Sequence, residues 1–440
     1  MSNDTKSVII IGGGLVGSLC ACFLAKRGYQ IQVYEAREDL RKAKHQRGKS
    51  INLALSHRGR FALRSVGLEE KVLENAVPME GRLLHSISNA TKSIAYDKHT
   101  NQCIYSVSRN ILNEILLTAA EKYPNVKLFF QCKLKDVFLK EGKCVIYDSK
   151  TKEILNIEAD LIIGADGAFS RVRRCLQQTP LFHLNQSYIE HGYLELSVPS
   201  ERGHLLVPNL LHIWPRGEFM MIALPNSDGS WTVTLFMSLE KFKEIDSKKK
   251  LKIFFEQHFP DAIDIIGKEA LEREFLSSSP NYFISLKCNP YHFQDRALII
   301  GDAAHAMVPF YGQGMNCGFE DCTVLDQLLE VHGKCSFDIV LEKFTQRRRE
   351  DVHAICDLAM YNYIEMRDLV TRPTFHARKI IDDFLYKLLP TIWLPLYNSV
   401  SFTNTRYSVC MRNRQWQNKV LSIGLCILTV ILFVSIFCLM

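Results

Sequence analysis

The stretch VIIIGGGLVGSLCACFLAKRGYQIQVYEA, residues 8–36, constrains this chain more than any other. Residues 8–11 have the length and apolarity of a buried strand, and Gly12-x-Gly14-x-x-Gly17 follows at once. A helix of small and apolar residues runs over 18–26, Gly28 breaks it, and 31–34 forms a second strand ending on Glu35. This spacing predicts a βαβ unit whose glycines allow a tight turn and a pyrophosphate at the helix N-terminus, with an acid for a ribose hydroxyl. Glu35 favours an unphosphorylated adenosine ribose, so FAD or NAD rather than NADP. The plain alternative, a glycine-rich βαβ unit with nothing bound, stays open on this stretch alone.

Two other segments share its character. In ADLIIGADGAFSRVRR, residues 159–174, a buried strand leads to Asp166-Gly167, with Ser170 and Arg173 three and six residues beyond Gly167. In ALIIGDAAHAMVPFYGQGMNCGFEDC, residues 297–322, an apolar strand over 297–300 ends at Gly301-Asp302, and a glycine-rich turn from Gly312 opens a helix. The N–H groups at that helix start favour negative charge, and Asp302 is placed to accept hydrogen bonds from a sugar-alcohol chain. Gly312, Gly314 and Gly318 carry no Cβ, so a flat ring or a phosphate can approach the backbone. Each segment alone reads equally as an ordinary strand–loop corner.

Taken together, GxGxxG near the N-terminus, DGxxSxxR in mid-chain and GDAAHxxxPxxGQGxN late in the chain resemble the single-component, FAD-dependent aromatic hydroxylases. RGKSINLALSHRGR, LHIWPRGEFMMIALPN, AMYNYIEMR and LPLY narrow the resemblance to the members that hydroxylate kynurenine. The resemblance implies tightly bound FAD, NADPH as a transient co-substrate, and L-kynurenine and O2 as substrates. It assigns FAD contacts to Gly12, Gly14, Val16, Gly17, Glu35, Ala36, Arg37, Ala54, Arg109, Leu134, Asp166, Asp302, Gly314, Met315 and Asn316. Arg109 matches an arginine that reaches the pyrophosphate, a task suited to a two-pronged guanidinium. Arg82 matches the arginine for the substrate carboxylate, with Tyr96, Asn362 and Tyr397 as further head-group contacts.

No side chain is expected to act as nucleophile or general base, because the flavin carries the difficult step and an aniline ring is already electron-rich. His305 reads as a structural hydrogen bonder as readily as an acid–base group. No metal site is expected. With one dinucleotide fingerprint, NADPH is expected at the surface near DGxxSxxR. Two rivals remain: a lipophilic substrate taken from a bilayer, which would leave Arg82 buried and unpaired, and a non-catalytic flavoprotein scaffold.

At 440 residues, 47% hydrophobic and 23% charged, the chain is globular and long enough for several units. The expected class is α/β. A discontinuous Rossmann-like FAD-binding domain spans 1–80, 100–180 and 290–337, and an antiparallel-sheet substrate domain takes 81–99 and 181–289. YIEHGYLELSV, LHIWP, FMMIALP and WTVTLFM alternate there without crossover helices, giving a sheet with one face over a substrate cavity. A helical region over 338–418 packs on that cavity. The charge excess, 54 − 47 = 7, is spread out and does not indicate nucleic acid. The run 248–250 reads as a solvated helix face. Fourteen cysteines show no C-x-x-C or zinc-like spacing and read as reduced core residues.

The first strand begins so early that no signal peptide is expected. Residues 420–440 contain no charge in 21 positions. As a helix they span roughly 31 Å, the thickness of a bilayer core. Arg406, Arg412, Arg414 and Lys419 precede them, which predicts a transmembrane anchor with the catalytic part in the cytosol. Such basic flanks suit the outer mitochondrial membrane, with the endoplasmic reticulum as the alternative.

Overall fold

Strand Ser7–Ile11 runs parallel to Gln30–Glu35 on one side and to Leu161–Gly164 on the other. The computed structural model describes residues 6–42, 52–98, 100–333 and 337–439, so residues 47–51 of RGKSINLALSHRGR lie outside it. Within the described residues the sheet continues to Val126–Phe130 at one edge. At the other edge it passes through Ala297–Ile299 to the short antiparallel strand His292–Phe293. Helix Leu15–Lys26 buries ten of its 12 residues, mainly against Arg109–Glu121 and Gly314–His332. Its small side chains permit that closeness. The strand order sets the ends Ile11, Gly164 and Ile299 side by side, so the three glycine-bearing loops meet at the carboxyl edge of one parallel sheet. That is where such sheets bind ligands.

The second large sheet has seven strands, in the order Asn281–Asn289, His183–Val198, Trp231–Ser238, Met220–Pro225, Leu210–Pro215, Gly81–His85 and Thr91–Ala95. It is not purely antiparallel, as expected from sequence. Gly81–His85 pairs parallel with Leu210–Pro215, because this early hairpin joins the edge through a long connection. Nor is 181–289 all strand. Helices Leu239–Glu244, Lys248–His258, Pro260–Ile266 and Lys268–Ser277 cover the outer face. Period-two alternation then sorts one strand's residues. Met220, Ile222 and Leu224 face a cavity, while Met221 and Ala223 join the outer core with Trp214 and Phe255.

Helix Phe337–Arg367 spans the back of the cavity, followed by Pro373–Leu388, Leu396–Phe402 and Tyr407–Leu439. The last contains the apolar segment expected to be an anchor. Among the described residues no helix is long and apolar enough to cross a membrane. Part of that segment's side chains lie outside the description, as does Met440. Three of the four cations before it pair within the protein: Arg406 with Asp351 at 2.9 Å, Arg414 with Asp382 at 3.1 Å and Arg412 with Glu350 at 4.0 Å. The twelve described cysteines are free, and all but Cys103 and Cys426 are buried.

Candidate active site

Between the two sheets lies a cavity of about 460 Å3. Its first end is built by the three loops at the edge of the parallel sheet. Gly14, Val16, Ala54, Arg109, Asp302, Gly314 and Met315 line it. Helices Leu15–Lys26 and Gly314–His332 both present N-termini here without a side-chain cap or an acid in the first turn. Their N–H groups are therefore open to an anion. A Cβ on Gly14 would meet no atom within 4 Å, so the cradle has room. Behind it the glycines are compulsory: Gly12 has φ +106° with Ala165 O 2.4 Å from an added Cβ, and at Gly17 the Gly12 carbonyl would be 2.0 Å away.

Glu35 stands at the end of its strand, with Oε2 accepting the Gly13 N–H at 2.8 Å and Oε1 the Arg37 N–H at 2.9 Å. Ala36 and Arg37 are exposed beside it. Asp166 accepts the Arg171 N–H at 2.6 Å, yet its Oδ1 is buried with no hydrogen-bond partner among the described residues. Burial raises the Asp166 carboxyl, opposed by Ser170 and nearby backbone N–H groups. Open helix termini, a roomy glycine cradle and an orphaned acidic oxygen together fit a dinucleotide with its pyrophosphate and hydroxyls.

Of the expected FAD contacts other than glycines, Glu35, Ala36, Arg37, Leu134, Asp166 and Asn316 do not line the cavity. Leu134 is 7% exposed in the hydrophobic core. Asn316 is fully buried and saturated. Its amide donates to Ala54 O at 2.8 Å and Gly312 O at 2.7 Å, and its oxygen accepts the Ser56 N–H at 2.9 Å. It staples two cavity loops together. The segment expected to receive NADPH is likewise braced from inside. Ser170 caps its helix by accepting the Arg173 N–H, and buried Arg173 donates to Ala303 O and Ala168 O at 2.7 and 2.6 Å. Phe169 and Arg171 are exposed in that segment.

The other end of the cavity has an apolar wall of Met220, Ile222, Leu224, Phe236, Phe283 and Phe310, and it closes on Arg82. Arg82 is buried, with its guanidinium 4.6 Å from the Tyr397 ring centre and 5.7 Å from that of Tyr96. Its Nη1 meets Glu365 at 3.2 Å, while Nε has no partner among the described residues. Burial works against the charge, but Tyr397, Tyr96 and Glu365 raise the Arg82 pKa above its ordinary value. Tyr96 and Tyr397 stack at 4.9 Å, and Tyr311 stacks on Tyr397 at 5.7 Å. Asn362 is buried and donates to Phe310 O at 2.7 Å. The structure thus brings Arg82, Asn362 and Tyr397 to one cavity wall, with Tyr96 behind. Sequence reasoning missed Glu365 and Tyr311. Glu365 lies in the quoted AMYNYIEMR, yet nothing there marks it as the partner of an arginine 283 residues away.

His305 proves to be a structural hydrogen bonder. Its Nε2 lies 2.6 Å from Asp321, which also accepts the Gly301 N–H at 2.9 Å and Arg348 Nε at 2.7 Å. Arg348 donates further to Glu320 at 2.5 Å and to Cys317 O at 3.2 Å. His305, Cys317 and Asp321 are close enough to hold a metal ion. Their acceptor capacity is nevertheless spent on the guanidinium, the imidazole and a backbone N–H. This network fixes Gly301 and so positions Asp302.

Residues 5–359 match the family described as FAD binding domain. The chain is 54% identical to kynurenine 3-monooxygenase of Anopheles gambiae over 96% of this chain and 87% of that one. It is 47% identical to the Sus scrofa enzyme of the same name (95% and 88%), and 37% identical to that of Flavobacterium psychrophilum (95% and 93%). In fold it is similar to 2-methyl-3-hydroxypyridine-5-carboxylic acid oxygenase, with TM-score 0.67 at 21% identity over 84% of this chain and 95% of the other. P. aeruginosa PqsL gives TM-score 0.67 at 17% identity over 82% and 97%. By sequence, this chain belongs to the kynurenine 3-monooxygenases, a family built on this FAD-binding domain.

Proposed function

We infer that the protein is an FAD-dependent, NADPH-consuming monooxygenase that adds one oxygen of O2 to L-kynurenine, giving 3-hydroxykynurenine. The observation that carries the substrate assignment is a buried arginine, left unsaturated by the protein, at the end of an apolar cavity. The relatives' shared name agrees with it.

The roles of the wall residues follow from their chemistry. Arg82 offers a planar fork to the α-carboxylate, and its unpartnered Nε supports that assignment. Glu365 keeps the guanidinium from standing unpaired in an empty cavity. Tyr96, Tyr397 and Asn362 hold the head group. Met220, Ile222, Leu224 and Phe310 receive the ring and exclude water. Bound FAD supplies the redox and oxygen chemistry. Glu35, Arg109, Asp166 and Asp302, with the two helix N-termini, would hold its ribose, pyrophosphate and sugar-alcohol chain. A lipid-like substrate would leave Arg82 facing only Glu365.

We further propose that residues 420–440 anchor the enzyme in the outer mitochondrial membrane with the catalytic part in the cytosol. The uncharged run and the exposed Arg412 and Lys419 before it support this. The activity is tested by following NADPH oxidation by the detergent-solubilised, FAD-loaded protein with and without L-kynurenine, identifying the product by mass. Stimulation with a gain of one oxygen atom is expected. Bound flavin without stimulation returns the substrate to the lipophilic class.

A further inference from the structure

Helix Pro373–Leu388 is built inside out. Of its 16 residues only Asp382 is buried, and toward the protein it turns Phe375 together with the ionic Arg378, Lys379, Asp382 and Asp383. Asp382 accepts from Arg378 at 2.9 and 3.0 Å, from Arg414 at 3.1 Å and from the Trp393 indole at 2.9 Å. Its exposed apolar residues point the other way. Ile380 is 69% exposed, Phe384 60% and Leu388 59%, four residues apart on one stripe, with Ile381, Leu389 and Ile392 exposed beside them. A helix on a protein facing water shows the opposite pattern. An apolar surface of this kind marks a place of contact.

The neighbouring helix indicates what is contacted. Arg378 donates to Asn418 at 2.8 Å, Trp393 packs on Trp416 at 5.6 Å, and Arg414 reaches Asp382. These contacts fasten the stripe beside residues 414–418, immediately before the uncharged segment. There Val420, Ile423, Leu425 and Ile427 are themselves exposed. Lys387, in the last turn of Pro373–Leu388, and Lys419, next to the uncharged segment, are exposed. An apolar stripe, the exposed Trp416 and exposed lysines around the start of a membrane-length segment are the parts of an interfacial helix.

We propose that the outer stripe of Pro373–Leu388 docks at the headgroup–acyl boundary of the bilayer that receives residues 420–440. This rests on the membrane-anchoring reading above. Continuity with the exposed apolar segment favours lipid over a second copy of the chain. The inner face of the same helix contributes Arg378, Lys379, Asp382 and Asp383 to a small cavity of about 100 Å3, which shares Arg82, Asn362 and Tyr397 with the substrate cavity. Docking therefore holds the flank of the substrate site against the membrane surface.

The test uses the full chain, loaded with FAD and reconstituted into vesicles of phosphatidylcholine brominated near the top of one acyl chain. Phe384→Trp is compared with Ile154→Trp, a site 64% exposed on the three-stranded sheet of Cys132–Phe138, Lys143–Asp148 and Ile154–Glu158. Leu388→Trp replaces Phe384→Trp if the latter does not retain FAD. The proteins are expected to float with the vesicles, and the emission added at position 384 should be quenched at least about twofold more than that at 154. Flotation with equal quenching overturns the docking and leaves the anchor standing. Failure of the unsubstituted chain to float overturns both.

Discussion

Two arginines are buried in this protein to similar depth, and they are treated in opposite ways. The Arg348 side chain is 2% exposed, and it spends its guanidinium on Glu320, Asp321 and Cys317. The Arg82 side chain is 7% exposed, yet it has one acidic contact at 3.2 Å, two aromatic rings and a bare Nε. A charge buried without partners is costly, and Arg82 carries this deficit at the wall of a cavity, where a ligand can relieve it. Saturation separates the two roles: Arg348 builds the site, and Arg82 receives the ligand.

The contrast predicts different failures. Arg348→Ala leaves Asp321 and Glu320 short of a buried partner and should lower stability by about 3–5 kcal/mol. Denaturant unfolding together with FAD release reads this out, and an unchanged midpoint would place Arg348 outside the scaffold. Arg82→Ala should reduce kcat/KM for L-kynurenine about 100-fold, near 3 kcal/mol, with FAD still bound. Loss of FAD instead would move Arg82 to the cofactor end. Asp302→Ala should weaken FAD retention roughly tenfold, the scale of one charged hydrogen bond. A fully loaded variant after gel filtration would remove Asp302 from that role.

The smallest effect concerns pH. Burial opposes the His305 imidazolium, but Asp321 and Cys317 raise its pKa well above 6.5. Burial also opposes the Asp321 carboxylate, which His305 and Arg348 hold below 3.8. A raised histidine contributes stability that is complete below pH 6.5 and fades as pH climbs through its folded value. The stability gap between the protein and His305→Gln should therefore narrow on the alkaline side. A gap that widens with pH contradicts the pairing.

The same contrast shows what sequence could tell. Motifs that fix backbone were legible, because a tight turn needs glycine whatever surrounds it: Gly12 and Gly17 could carry no Cβ. Strand alternation gave the wall residues Met220, Ile222 and Leu224 as one face. Partnerships over long separations were not legible. Nothing near Glu365 points to Arg82, and Arg173 and Asn316 sit in ligand-like motifs while spending their hydrogen bonds on loops. The region over 338–418 is expected to pack as helices on the cavity, with no face assigned. Pro373–Leu388 turns Ile380, Phe384 and Leu388 outward, and no local pattern says which face of a helix meets the protein.

The central claim, that Arg82 is kept unsaturated for a carboxylate, is tested most directly by binding without turnover. L-kynurenine and its decarboxylated amine are titrated into the FAD-loaded protein and into Arg82→Ala without NADPH, following the flavin absorbance. The account predicts that the protein prefers L-kynurenine by about 100-fold, close to 3 kcal/mol, and that the preference collapses in the variant. An equal preference in both proteins would contradict it.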